Sequence, residues 1–550
     1  MATIGSSASI DRDLESLAAA KDAWAVLPIV RKTAYLEALK RYTSGAAQAW
    51  VDAACRAKGL REGSPLAGEE WISGPWAVLY ALNRYIRTLN AIDMRGEPPL
   101  PQLRTRNGQV VADVFPRTLY DRVLLSGISA QVRMRPGLDE RTVRARSGRF
   151  YREVNPAGSV TLVLGAGNIS SIAPLDVLYH LLANGSVCLL KMNPVNEYLS
   201  PIFEHIFHPI VDAGFLRFAG GGADVGSYLC SHPLIDRIHV TGSEQTYKAI
   251  VAAAGASKTI TSELGNVSPT IVVPGSWSRD DLEFQAAHIA TQKAHNAGFN
   301  CIAAQVLVLP KEWTHTEALR NAVARVLEHG EARPEYYPGA RERRAALAGE
   351  GSPLRTVVDV DAADTSHAAF TGEAFCGVLA CVWLPGGTDE YLRRAVEFAN
   401  TVLRGTLGAN LIVHPSTLRA RRKQVEDAID SLRYGCIGVN AWTGVGYFIT
   451  ETPWGAYPGH TPEDPGSGIG VVHNSYFLEG TEKSVVRAPF APFPRSWRTG
   501  EAALLPLPPW FVTNSRAAEI GRALCDFEAS GSPLHAARVV RLALAASSLK

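Results

Sequence analysis

From Gly158 the chain alternates apolar runs with helical segments in short order. "GSVTLVLGAGN" is a continuous apolar run ending in glycines, "APLDVLYHLLANG" has helical spacing and stops at Gly185, and "SVCLLKMNP" is a second apolar run. Strand, helix and strand within about 35 residues predict a βαβ unit, with a right-handed crossover and parallel strands. The alternation continues through "YLSPIFEHIFHPIVDAG", "LRFAGG", "VGSYLCSHP", "RIHVTGS" and "EQTYKAIVAAAG". That rhythm marks a doubly wound α/β domain of the nucleotide-binding kind.

At 550 residues the chain is too long for one core, so two large domains are expected. Residues 1–100 read as a helical segment packed on the nucleotide-binding domain and 101–270 as that domain. Residues 271–460 read as a second α/β domain, through "GVLACVWLP", "GTLGANLIV" and "CIGVNAW". Residues 461–550 hold a bridging strand and a Pro-rich, helical tail ("APFAPFPRSW", "LLPLPPWF"). The helical segment 12–92 displays no chemistry. The charge balance, 55 basic against 53 acidic side chains, gives no field directing the chain to nucleic acid or acidic lipid. No secretory leader opens the chain, and nowhere do about 18 apolar residues run together, so a soluble, cytoplasmic protein is expected. Its eight cysteines form no CxxC pair, which fits neither a zinc site nor a disulfide framework.

Cys301 stands apart, in "HNAGFNCIAAQ", after an amphipathic helix and a glycine-containing turn and before an apolar strand. Such a turn can expose the sulfur and aim backbone N–H groups at it, which a nucleophilic thiol needs. A lone cysteine is ordinarily a buried structural thiol, and Cys188, Cys230, Cys376, Cys381 and Cys436, in apolar surroundings, keep that reading.

The company of Cys301 changes its weight. "SELGNVSP" at 262–269 and "NAGFNCIA" at 296–303 resemble the two signature stretches of the aldehyde dehydrogenase superfamily, in the family's order and separation. "PAGSVTLVLGAGN", "LLKMNP", "HPLIDRIHVTGS", "GEAFCGVLA" and "ETPWGAYPGH" resemble its further motifs, over roughly residues 20–460. The resemblance implies two doubly wound α/β domains plus a small oligomerisation strand element. It makes Cys301 the nucleophile, Glu263 the general base and Asn168 the side-chain donor to the oxyanion. Lys191 would hold the adenosine ribose, Gly242 and Ser243 the pyrophosphate and Glu373 the nicotinamide ribose, with Gly265 also at the cofactor. Taken singly, Glu263 reads as a solvated or capping residue, Asn168 as a turn residue and Lys191 as a solvated charge. The implied reaction is NAD- or NADP-dependent oxidation of an aldehyde to a carboxylic acid by a homo-oligomer, assembled through strands near 145–155 and 485–490. No metal is implied.

Several positions depart from the family pattern. Gly167 replaces the aromatic residue that commonly precedes the asparagine and is expected to open that side of the site. Tyr247 replaces a glycine, Glu244 adds negative charge beside the pyrophosphate turn, and Cys376 and Gly377 replace a Gly-Pro pair. Only about 72 residues separate Cys301 from Glu373, so the catalytic domain is expected to lack an element. At Pro194, where NAD-preferring members often place a glutamate, there is no carboxylate to repel a 2′-phosphate, so both cofactors are expected to be accepted. An acyl-CoA or acyl-phosphate reductase of the same fold, and a catalytically weakened binding homologue, are the alternatives.

Overall fold

The alternation from Gly158 becomes a six-stranded sheet in the computed structural model, which describes residues 7–255 and 257–547. Strand Ser159–Leu164 lies between Ser186–Lys191 and Arg237–Thr241. Leu216–Ala219 closes one edge; Thr259–Glu263 and the short antiparallel Gly468–Ile469 close the other. The chain first builds outward from Ser159–Leu164, then crosses back to lay Arg237–Thr241 on its other side. That reversal leaves a crevice at the carboxyl ends of the two strands, where such sheets bind ligands.

A second sheet has ten strands. Its parallel part runs in the order Thr481–Arg487, Cys436–Val439, Gly408–Ile412, Ser268–Val272, Ala304–Pro310, Gly377–Leu384, Arg355–Asp359. Antiparallel strands Ser129–Met134, Gln109–Phe115 and Leu103–Arg106 extend it beyond Thr481–Arg487. Cys301 precedes Ala304–Pro310, whereas Asn168 follows Ser159–Leu164, so the amino end of the second sheet meets the carboxyl end of the first.

Three expectations change here. The strands between 103 and 134 join the second sheet, and so does Ser268–Val272, which moves the boundary expected at 270 ahead of Ser268. No strand forms at 145–155: Asp139 accepts from Thr142 N at 2.7 Å and caps the helix Glu140–Arg146, and a 3-10 turn Arg149–Arg152 follows. Thr481–Arg487 is the strand foreseen near 485–490, but both its edges are hydrogen-bonded within its own chain, to Cys436–Val439 and Ser129–Met134.

The N-terminal helices pack on the six-stranded sheet as expected. Trp24, Leu36, Trp50 and Tyr85 share one core with Val160, Leu189 and Phe203. Each such aromatic buried contributes roughly 2–3 kcal/mol, and Trp24 Nε1 also donates to Leu181 O at 2.8 Å.

The tail is more structured than its prolines suggest. Helix Ala517–Ser530 docks on Ala67–Trp71, backbone against backbone, and Pro533–Leu544 packs on Ala517–Ser530 and on the helix Leu119–Leu124. A Cβ on Gly68 would lie 2.5 Å from the Ala517 carbonyl carbon, and one on Gly521 2.6 Å from Trp71 Cβ, so only glycines allow this approach. The tail also covers the helix Arg279–Ala294, which is buried on every side from Gln285 onward and so is not the amphipathic surface helix its charges imply. Gln285 Nε2 donates to Phe490 O at 2.6 Å, and the His288 ring stacks on Phe511 at 5.4 Å. Among the described residues no helix is long and apolar enough to cross a membrane.

Candidate active site

A cavity of about 770 Å³ opens in the crevice between the sheets, and all eight residues singled out from the sequence line it: Asn168, Lys191, Gly242, Ser243, Glu263, Gly265, Cys301 and Glu373. Six of them sit at or just past carboxyl ends of strands in the first sheet: Asn168, Lys191, Gly242, Ser243, Glu263 and Gly265. Cys301 and Glu373 arrive from loops that lead into strands of the second.

Cys301 is half-buried at the cavity wall. The turn before it is strained, with Asn296 at φ 52°, Ala297 at 57° and Gly298 at 83°. Positive φ in two consecutive non-glycine residues persists only where the surroundings enforce it, and such strain clusters at functional sites. Burial pushes the Cys301 thiol well above its ordinary range, and the carboxyls of Glu373 and Glu263 push it further. Thiolate formation therefore requires a proton acceptor in the cavity.

Glu263 ends the strand Thr259–Glu263 and is 4% exposed. Neither carboxyl oxygen has a hydrogen-bond partner, and burial, with Asp176 nearby, holds its pKa well above the usual carboxylate range. Asn168 donates from Nδ2 to Phe299 O at 2.9 Å. An amide nitrogen carries two hydrogens, so one is left for the cavity.

The cofactor-side residues include a steric pair. A Cβ on Gly265 would lie 2.6 Å from Glu373 Oε2, so glycine admits that carboxyl. Burial raises the Glu373 pKa to about 8, against the pull of the Asn266 backbone N–H, Lys293 and Arg343. Ser243 caps the helix Glu244–Ala254, accepting from Thr246 N at 3.1 Å. The negative charge of Glu244 is met by Arg404 at 2.9 Å and Lys248 at 2.8 Å, which removes most of its repulsion toward a phosphate. Tyr247 is fully buried beneath the same turn. Burial lowers the Lys191 pKa, and the carboxylates of Glu197 and Asp224 oppose that shift. A carboxylate does therefore act on Lys191, from Glu197, three residues beyond Pro194. Nor is the side of Gly167 open: a Cβ there would meet Asn193 Oδ1 at 2.6 Å.

Beneath the site lies a charged cluster that sequence reasoning missed. Lys58 Nζ donates to Asn168 O at 3.1 Å and to Asn296 Oδ1 at 3.2 Å, and pairs with Glu70 at 3.1 Å. Arg333 pairs with Glu69 and Glu70, both at 2.7 Å. Tyr336 OH reaches Asn168 O at 3.1 Å, while Asn296 N donates to Glu69 at 2.8 Å. Asn296 Nδ2 closes the cluster onto Asn168 O at 3.0 Å and Phe299 O at 3.1 Å. Three distant segments thus converge on the two loops that carry Asn168 and Cys301. Lys58, Glu69 and Glu70 lie in the helical stretch that displayed no chemistry, and only the placement of charged residues on buried helix faces could have signalled them.

A family profile described as "Aldehyde dehydrogenase family" matches residues 128–340. An aldehyde dehydrogenase of Fusarium is 30% identical over 155 residues, which is 28% of this chain and 32% of that protein. The Bacillus subtilis protein AldX is 32% identical over 154 residues, 28% of this chain and 34% of that protein. The chain thus spans about a third of the length of the curated relatives it matches. The fold is similar to that of an aldehyde dehydrogenase from Pseudomonas syringae in complex with NAD+ and octanal, with a TM-score of 0.59 and 18% identity over 89% of this chain and 90% of that one. It is likewise similar to a glyceraldehyde-3-phosphate dehydrogenase from Methanocaldococcus jannaschii complexed with NADP, with a TM-score of 0.58 and 13% identity over 88% and 95%. The profile covers under half of the chain and the relatives are matched over about a third of their length, so the comparisons show a likeness to aldehyde dehydrogenases in sequence over residues 128–340 and in fold over most of the chain.

Proposed function

We propose that the protein oxidises an aldehyde to a carboxylic acid with NAD or NADP as hydride acceptor. One observation carries the reading: a thiol, a buried carboxyl and a side-chain amide, Cys301, Glu263 and Asn168, face one cavity together with Lys191, Ser243 and Glu373. The cavity suits a dinucleotide. Lys191 is 8% exposed at a strand end, a capped helix N-terminus follows Gly242, and Glu373 presents a buried oxygen, Oε1, with no partner.

Cys301 adds to the aldehyde carbonyl, and the resulting oxyanion is met by the Asn168 amide and the Cys301 backbone N–H. When bound, the nicotinamide supplies the hydride-accepting carbon. Glu263 takes a proton from water, which attacks the thioester on Cys301 and releases the acid. The apolar side of Cys301 packs in a core that includes Trp442, Tyr447, Phe448 and Trp454, which favours an apolar aldehyde. Self-association, expected from the resemblance, would need a surface other than Thr481–Arg487, both of whose edges are taken.

A second reading, an acyl-thioester reductase, is favoured by the surroundings of Glu263, which is buried with neither carboxyl oxygen hydrogen-bonded, so that its ionised form is disfavoured and its pKa raised. Spectroscopic assay of reduced nicotinamide separates the two. Oxidised cofactor consumed with aldehydes alone supports hydrolytic oxidation; reduced cofactor consumed with acyl-CoA supports the reductase.

A further inference from the structure

We propose that a buried row of side chains behind Glu263, formed by Asp176, His239 and Thr261, carries the proton taken from the hydrolytic water to a second cavity. This rests on the hydrolytic reading above. The need arises from the position of Glu263: it is 4% exposed, neither oxygen is hydrogen-bonded, and its open side faces the cavity that substrate and cofactor would fill. A proton gained there has to leave through the protein.

The sheet supplies the route. Arg237–Thr241 and Thr259–Glu263 pair in parallel, with His239 beside Thr261 and Thr241 beside Glu263. Side chains two apart on a strand share a face, so these four form one polar block on a sheet face where apolar residues are the rule. Asp176, from the helix Ile172–Ala183, lies against that block and is the charged group acting on Glu263. Thr241 Oγ1 donates to Asp176 Oδ2 at 3.1 Å, and His239 Nε2 lies 3.5 Å from the same oxygen. His239 Nδ1 lies 2.9 Å from Thr261 Oγ1. Thr261 lines a cavity of about 410 Å³ that shares no lining residue with the catalytic one.

The other titratable groups facing the row leave it free to conduct. His180, whose ring lies 4.9 Å from that of His239 at a tilt of 50°, and His473, whose ring nitrogens have no partner, are both kept neutral by burial. Tyr447 is also close to Asp176 and Glu263, and burial keeps its phenol protonated. Arg237 lies at the second cavity with His180.

In deacylation the water oxygen bonds to the thioester carbonyl carbon, the water proton goes to Glu263, and the C–S bond breaks with its electron pair returning to Cys301 Sγ. Glu263 then turns its carboxyl onto Thr241 Oγ1, its neighbour across the sheet, and gives that oxygen the proton while the Thr241 hydroxyl proton goes to Asp176 Oδ2 and on to His239 Nε2. His239 gives its Nδ1 proton to Thr261, whose own hydroxyl proton goes to water in the second cavity. Glu263, Thr241, Asp176 and Thr261 end as they began, whereas His239 ends with its proton on Nε2 instead of Nδ1, and a flip of the imidazole ring restores it for the next cycle.

The test uses the full-length enzyme with saturating aldehyde and oxidised cofactor under rapid mixing. Asp176→Asn and the isosteric Thr261→Val should keep the rate and size of the first burst of reduced cofactor. Their steady rate should fall about 10-fold or more, as for loss of a proton-transfer partner. Small buffer bases such as imidazole should restore part of that loss, and Thr261→Ser, which keeps the hydroxyl, should match the parent. Steady rates within twofold of the parent in both variants, or a loss that neither imidazole nor Thr261→Ser relieves, would overturn the route while leaving the hydrolytic reading intact. A parent enzyme that turns over only with coenzyme A overturns both.

Discussion

Lys58 Nζ lies 3.1 Å from the backbone oxygen of Asn168, so the residue that ends an N-terminal helix holds the loop that carries the Asn168 amide. Its partner Glu70 is equally buried, as is Arg333, which pairs with the same carboxylate, and the cluster ties that loop to the strained turn before Cys301. Lys58→Met would leave the Glu70 carboxylate with Arg333 alone and remove a donor from two buried oxygens. Breaking a buried ion pair on one side costs roughly 3–5 kcal/mol. Urea unfolding should report a loss of that size, against about 1 kcal/mol for Tyr336→Phe, which removes one hydroxyl proton shared between Asn168 O and Asn296 Oδ1.

Asn168→Ala should lower kcat about 10²–10³-fold, as for loss of one oxyanion donor, with a smaller effect on cofactor affinity. Steady-state kinetics with a cofactor titration checks this; a change confined to KM would make Asn168 a substrate-positioning group only.

Cofactor choice turns on Glu197. Its carboxylate and that of Asp224 act on Lys191, where a 2′-phosphate would meet negative charge the sequence alone did not reveal. NAD should be preferred over NADP, and Glu197→Gln should move the ratio of kcat/KM values toward NADP by about 10-fold, equivalent to about 1.4 kcal/mol. An unchanged ratio would show that the adenosine ribose sits elsewhere.

The sequence revealed what depends on local pattern. The period of apolar residues identified the first sheet, and short motifs marked eight residues that meet in one cavity. What it concealed depends on contacts between distant segments. Nothing near Glu244 announces Arg404, 160 residues away, and nothing near Gly167 announces that Asn193 fills the space beside it. Strand Thr481–Arg487 was recognisable as a strand, but its partners are decided by a sheet assembled from both ends of the chain. The tail's closing helix was legible, but the helix before it, Ala517–Ser530, was not, and its docking depends on Gly68, far upstream.

Burial raises the Glu263 pKa in the folded protein above its ordinary value of 4.5, so folding takes up a proton once the pH is above 4.5. The stability this group contributes is fully present below pH 4.5 and is lost as pH rises toward the folded-state pKa, at about 1.4 kcal/mol per pH unit. Glu263→Gln, which cannot ionise, should gain stability relative to the parent between pH 5 and pH 8. Thermal melts of both proteins across that range test it; parallel curves would mean that Glu263 ionises freely.

The central claim is that Cys301 carries a thioester which Glu263 hydrolyses. Glu263→Gln should trap it, because the amide keeps the shape of the carboxyl but accepts no proton. The decisive measurement is the mass of this variant, intact and as mapped peptides, after mixing with aldehyde and oxidised cofactor. The account predicts one acyl group per chain, on Cys301, formed together with a burst of reduced cofactor close to one per site. Normal turnover without an adduct, or an adduct on any other residue, would contradict it.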